Sequence, residues 1–242
     1  MRHILMTGGA HGIGLEMAKS RLAQGDHVTI LDLDITIGKQ YQDPRLLLIQ
    51  ADVRNEEEVT KAIEKAVTCF GALDIVIHGA CVCAYACMES MTSKQVSAIW
   101  QTNYLGAWIL VKAASHYMSK DGRIWLFSSG VGITGLAGMS AYASSKGAIE
   151  ALAKCLRLEY PFQIGIIHPP LTRTQAASCF PIPDAFKKEA SEVGQKLALR
   201  LEKKGFLLTM DWKQTVMMQI CYLFPLQMGK WLTSLTNRAL SD

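Results

Sequence analysis

Short apolar runs alternate along the first two thirds of the chain with longer segments whose apolar positions recur every three to four residues. Runs of the first kind suit strands buried on both faces, and segments of the second kind suit helices laid over them. The pattern predicts strands at residues 3–6, 27–31, 46–50, 75–77, 124–127 and 164–167. It predicts helices at residues 13–24, 56–70, 93–118 and 141–160. Asn55, with Glu58 three residues on, makes a capped start for the second of these. Strand and helix in alternation imply βαβ units and a doubly wound α/β fold with a parallel sheet. Beyond Pro170 this rhythm stops, and amphipathic segments follow Pro181 and Pro183 without a flexible linker. We therefore expect one domain over residues 1–242, with its core in residues 1–174. Residues 175–242 form a part covering the substrate, and residues 185–240 are expected to be helical.

The first predicted strand runs into TGGAHGIG, Thr7 to Gly14, and then directly into a helix. Glycines at 8, 12 and 14 let the backbone turn tightly against a pyrophosphate, and the helix start offers that anion free N–H groups. The second strand ends in Asp32, eighteen residues beyond Gly14. A carboxylate there accepts both ribose hydroxyls of NAD and repels the 2′-phosphate of NADP. A Rossmann fold binding NAD, with NADP disfavoured, is the expectation. Further on, SAYASSK places Tyr142 and Lys146 one helical turn apart on a shared face.

Taken together, these residues resemble the short-chain dehydrogenase/reductase family over residues 2–174. Thr7, Gly8, Gly12 and Gly14 fit its glycine turn, and Asp52-Val53 fits its adenine-contacting pair. Asn103, Ser129, Tyr142 and Lys146 fit its four catalytic positions, with Ser129 thirteen residues before Tyr142. The resemblance implies further cofactor contacts from Ala10, His11 and Ile13 in the turn and from Leu33 after Asp32. It also implies contacts from His78, Gly79 and Ala80 after the fourth strand, and from Pro169, Thr172 and Thr174 after the sixth. Two departures stand out. His78-Gly79-Ala80-Cys81 replaces the family's Asn-Asn-Ala-Gly, so a side chain stands where the family has glycine, and Pro169-Pro170 replaces its Pro-Gly.

In that family a hydride passes between nicotinamide and a carbonyl carbon, and a protein group must supply the proton. An unperturbed phenol has a pKa near 10, and an ammonium one turn away favours the phenolate. Lys146 is thus expected to lower the pKa of Tyr142 and to hold the nicotinamide ribose. Ser129 is expected to orient the substrate oxygen, and Asn103 to support a water leading from Lys146 to solvent. Ala141, Ala143, Ser144 and Ser145 are expected to be small so that nicotinamide and substrate can approach. The predicted reaction interconverts a secondary alcohol and a ketone. The alternatives are a dinucleotide-sensing protein without catalysis and a membrane-peripheral reductase of keto lipids.

Bulk properties narrow this further. Half the residues are hydrophobic, 19% are charged and the net charge is +4, with no basic tract suited to nucleic acid. Cysteines at 69, 81, 83, 87, 155, 179 and 221 show neither secreted-domain nor metal-site spacing, which points to reduced thiols in a cytoplasmic interior and no metal. His11 is read as a loop residue beside the phosphates, and His116 and His168 as structural. The N-terminus runs into glycines at once, unlike a signal peptide. Residues 214–229 carry no charge, but at sixteen residues they are too short to span a bilayer, and Pro225 interrupts them. Membrane contact is the lesser reading of that stretch. Trp100 and Trp108 suggest core or subunit packing, and a homodimer or homotetramer acting on a small, apolar carbonyl or alcohol is expected.

Overall fold

The structure is a computed structural model and describes residues 1–36 and 38–241. The described residues build a seven-stranded parallel sheet in the order β3-β2-β1-β4-β5-β6-β9. Its strands are β1 (His3–Thr7), β2 (His27–Asp32), β3 (Leu46–Gln50), β4 (Leu73–His78), β5 (Met118–Phe127), β6 (Gln163–His168) and β9 (Leu207–Thr209). A two-stranded ladder joins β7 (Thr172–Arg173) to β8 (Lys188–Glu189).

Alternation along each strand divides the core in two. Ile4, Met6, Ile75 and Ile77 face α1 (Gly12–Ala23) and α7 (Ala190–Ala198), where Met17, Leu22, Val193 and Leu197 receive them. Leu5, Val76, Leu126 and Ile166 face the opposite layer, made of α2 (Glu56–Phe70), α4 (Gly106–Ala114) and α6 (Ser140–Glu159), with the short α5 (Val131–Thr134) between β5 and α6. The central strands are buried on both sides, which is why they read as unbroken apolar runs, whereas edge strand β3 is only partly buried. Asn55 caps α2 as expected: its side-chain oxygen accepts from the N–H groups of Glu57 and Glu58 at 3.1 and 3.2 Å.

Several expectations need correction. The helix predicted over residues 93–118 is three pieces: α3 (Ser93–Trp100), a π-helical turn at Gln101–Leu105, and α4. A 3₁₀ turn then leads directly into β5, so Met118 opens a strand. Residues 185–240 are not helical throughout, because β9 lies within them and adds the last strand to the sheet. The strand-helix rhythm therefore resumes after Pro170 through β9. Around β9 stand α7, α8 (Trp212–Leu223) and α9 (Pro225–Ser241).

Helix α7 is set flush against α1. A Cβ built on Gly194 would stand 2.5 Å from Glu16 Cβ and 2.9 Å from the Ile13 carbonyl oxygen, so only glycine allows this approach. Arg21 adds a buried tie, 2.5 Å from Asp26 Oδ2 and 3.1 Å from Glu202 Oε1.

Candidate active site

A cavity of about 1100 Å³ opens along the carboxyl ends of the strands. This is where ligands bind in open α/β sheets. One end is built by the turn between β1 and α1. Gly8 has φ 66°, and a Cβ there would lie 2.6 Å from Ala80 N, so the turn sits directly on the chain leaving β4. His11 precedes α1 without capping it, and no acidic side chain occupies the helix's first turn. The helix start is thus without a side-chain cap, and Gly8, Gly12, Ile13 and Gly14 line the cavity there. That arrangement fits a pyrophosphate.

Asp32 and Leu33 line the same end. Asp32 accepts from Ala10 N at 3.0 Å, so Ala10 supports the carboxylate from behind the wall. His11 lies between two carboxylates, with Nδ1 3.9 Å from Asp32 and Nε2 4.0 Å from Asp34. Asp52 and Val53 also line the cavity. Arg54 joins them; sequence reasoning missed it, and it is bound to both oxygens of Asp52. That hydrogen bonding holds the Asp52 carboxyl below its usual range.

Ser129, Tyr142 and Lys146 come together further along the cavity. Ser129 follows β5, while Tyr142 and Lys146 lie on the cavity side of α6. The Lys146 ammonium donates to the Phe127 carbonyl at 2.9 Å and lies 5.8 Å from the centre of the Tyr142 ring. Burial above all, then the thiols of Cys81 and Cys83, push the Tyr142 pKa well above its ordinary value, while a hydrogen bond from Ser129 works in the other direction. The expected lowering of that pKa by Lys146 is therefore not found in this state. The phenol is protonated because its surroundings are apolar and thiol-lined.

Asn103 lies behind the wall in the π-helical turn. Its amide accepts from Val82 N at 2.8 Å and donates to the Val82 carbonyl and Ser145 Oγ, each at 3.0 Å. It thereby fixes the loop that carries Cys81 and Cys83. None of Ala141, Ala143, Ser144 and Ser145 lines the cavity; Ala141, Ala143 and Ser145 are buried and Ser144 is exposed. Ser145 is wholly buried against Asn103.

His78 also lies behind the wall, fully buried, with Nδ1 3.0 Å from the Thr7 hydroxyl and Nε2 without a hydrogen-bond partner. Burial, reinforced by the Lys146 charge, lowers its pKa to about 3, so the ring is neutral. Gly79 and Ala80 reach the cavity, as do Pro169, Thr172 and Thr174. Thr172 donates to the Pro170 carbonyl at 2.7 Å. Thr174 stands over the glycine turn, its Cγ2 3.0 Å from where a Cβ on Gly12 would be.

The far end is made by residues that no motif announced. Phe180 meets Tyr142 edge-on at 6.4 Å, and Met217, Met218, Met228 and Trp231 from α8 and α9 close the apolar wall. Cys179 brings its sulfur to 3.3 Å from that of Cys83, although the two are far apart in sequence. Cys69, Cys87 and Cys155 are exposed, Cys81, Cys83 and Cys179 are partly buried, and among the described cysteines only Cys221 is buried. His116 lies in the 3₁₀ turn before β5. His168 is structural, with Nε2 2.9 Å from Glu150 Oε1. Among the described residues no group of three or more His, Cys, Asp or Glu is placed to hold a metal ion.

A sequence model described as short chain dehydrogenase matches residues 2–180. The chain belongs to the short-chain dehydrogenase/reductase family. It is an oxidoreductase of that family, which binds nicotinamide dinucleotides. Xanthoxin dehydrogenase of Arabidopsis thaliana is 29% identical, over 86% of this chain and 78% of its own length. A 3-ketoacyl-(acyl-carrier-protein) reductase from Brucella melitensis, solved with NADH, superposes with a TM-score of 0.78 at 19% identity, covering 86% of this chain and 96% of its own. A short chain dehydrogenase from Burkholderia cenocepacia, solved with NADP, gives a TM-score of 0.75 at 25% identity, covering 87% and 96%. The two solved structures hold different nucleotides, so they leave the nucleotide choice of this chain open.

Proposed function

We propose that this short-chain dehydrogenase/reductase is an NAD-dependent enzyme that interconverts a secondary alcohol and a ketone on a small, apolar substrate. The observation that carries the reading is one continuous cavity. It has an uncapped helix start and a carboxylate at one end, and Tyr142, Lys146 and Ser129 before an apolar wall at the other. Gly8, Gly12 and Ile13 would hold the pyrophosphate at the start of α1, and Asp32 the adenosine ribose. A nicotinamide bound there supplies or accepts the hydride.

The chain's own residues supply the rest. Tyr142, protonated in its buried setting, gives a proton to the substrate oxygen in the reducing direction and takes one back in the oxidising direction. Ser129 orients that oxygen and stabilises the charge developing on it. Lys146 places a cation beside the phenol and is available to ribose hydroxyls. Asn103 fixes the loop that borders the phenol. Phe180 and the methionines of α8 and α9 exclude water from the reacting end.

We also read the chain as cytoplasmic, since its exposed thiols are free, and as a homodimer or homotetramer. Exposed Leu105 in the π-helical turn, Trp108 on α4 and Leu158 on α6 supply an apolar surface for subunit contact. Light scattering at micromolar concentration tests the assembly, and a strictly monomeric mass refutes it.

The deciding experiment follows NADH and NADPH oxidation with a panel of ketones, and the reverse with alcohols, sugars, polyols and steroids. Turnover with apolar ketones is expected. Tight nucleotide binding without turnover of any member would make the chain a dinucleotide-binding protein.

A further inference from the structure

Helix α8 presents an apolar stripe to solvent. Trp212, Val216, Ile220 and Leu223 recur at intervals of four, four and three residues, which places them on one side of the helix. Trp212 is 69% and Leu223 72% exposed, whereas Cys221, on the opposite side, is buried. The stripe continues past the bend through Phe224 to Leu226 at the start of α9, itself 72% exposed. Patches of this kind on a folded protein mark an interaction surface.

Charge identifies the partner. From Trp212 to Ser241 the charged side chains are Lys213, Lys230 and Arg238, with no acid among them. Tryptophans beside lysines on a short amphipathic helix have the composition of a segment lying in a bilayer interface. A second copy placed on the same face about a twofold axis would bring these cations toward their own counterparts, which opposes self-association there. No helix among the described residues is long and apolar enough to cross a membrane, so contact would be peripheral.

We propose that the α8–α9 face docks the enzyme on an anionic lipid surface. Met217 and Trp231 are at once exposed and part of the cavity wall, so the docked face includes the cavity rim. An apolar substrate dissolved in the lipid then meets the cavity without crossing open water. This last point rests on the oxidoreductase reading; the docking surface does not.

The test sediments the full chain with vesicles of phosphatidylcholine alone or with about 30% phosphatidylglycerol added, a content chosen to give the negative surface potential that basic segments recognise. Most of the protein should pellet with the anionic vesicles at low salt, and binding should fall at least about tenfold with neutral vesicles or at high salt. The double substitution Ile220→Asn and Leu223→Asn should weaken anionic-vesicle binding by at least about tenfold, because apolar insertion is lost. Lys213→Gln with Lys230→Gln, which leaves the apolar packing alone, should remove the preference for anionic lipid. Turnover of a soluble ketone without vesicles should be unchanged in both variants, and it reports on the oxidoreductase reading separately. Failure of the unmodified chain to bind anionic vesicles, or equal binding by the stripe variant, overturns the proposal. A stripe variant that instead lowers the oligomer mass assigns the face to a second copy and overturns it as well.

Discussion

The Tyr222 hydroxyl donates to Glu150 Oε2 across 2.6 Å and so ties α8 to the helix that carries Tyr142 and Lys146. Burial acts against the Glu150 charge, but hydrogen bonds from His168, Ser128 and Tyr222 hold its carboxyl below the usual range. Burial first, and Glu150 next, raise the Tyr222 pKa, so this phenol remains a donor. Tyr222→Phe should cost about 1.5 kcal/mol in urea unfolding, the low end for a hydrogen bond to a charged group, since Tyr222 is partly exposed. It should also raise KM for apolar ketones more than it lowers kcat, because α8 forms cavity wall. An unchanged KM would mean that the tie does not position the wall.

Replacing Tyr142 with Phe removes the proton donor and little else. Turnover should be abolished while NADH binding, followed by fluorescence titration, stays nearly intact. Lys146→Ala should damage both. Retention by the Phe variant of more than about a tenth of wild-type kcat, a loss below about 1.4 kcal/mol, would remove Tyr142 from its assigned role.

The raised Tyr142 pKa fixes the sign of the pH response. Reduction needs the phenol and oxidation the phenolate, and kcat/KM reports groups of the free enzyme. In reduction, kcat/KM should be level through neutral pH. In alcohol oxidation it should climb into the alkaline range without a plateau below about pH 10, the value of an unperturbed phenol. Cys81→Ala removes one cause of the shift and should move the climb to lower pH. A plateau near neutrality in the unmodified chain would contradict the surroundings described for Tyr142.

The proposed preference for NAD rests on Asp32. A 2′-phosphate beside this carboxylate meets repulsion of about 4 kcal/mol per pair of unit charges at 4 Å and an effective dielectric near 20, before screening. Arg54 lines the same end but is already bound to both oxygens of Asp52, which leaves it poorly placed to offset that repulsion. We expect kcat/KM with NAD to exceed that with NADP by at least about tenfold, and Asp32→Ser to erase the difference. Equal rates with NADP in the unmodified chain would reassign Asp32 to supporting the turn through Ala10 N, the contact it makes here.

Legibility in the sequence followed the physics of each element. The six long strands read clearly because burial on both faces demands unbroken apolar runs, and α2 read clearly because Asn55 both caps it and follows a strand. Strand β9, Leu207–Thr209, is too short for any periodicity, and only its partner β6 makes it a strand. The break at Gln101–Leu105 carries no proline to announce it. It is stabilised by Asn103 reaching back to Val82, a contact between residues far apart in sequence. The glycine turn and the Tyr142–Lys146 pair were legible because their chemistry is local. The direction taken by the Lys146 ammonium, toward the Phe127 carbonyl, was not, and neither was the meeting of Cys83 with Cys179. Both depend on how distant loops fold over α6.

On the proposed reading of the site, the flush seating of Gly194 on α1 would tie nucleotide affinity to a helix from the last third of the chain. Any side chain at 194 would press on the Ile13 carbonyl and the Met17 amide, in the first turns of the helix proposed to hold the pyrophosphate. On that reading, exchanging residues 175–242 between relatives would retune coenzyme binding as well as substrate choice, unless the glycine travels with the graft. The two specificities would then not be independent modules.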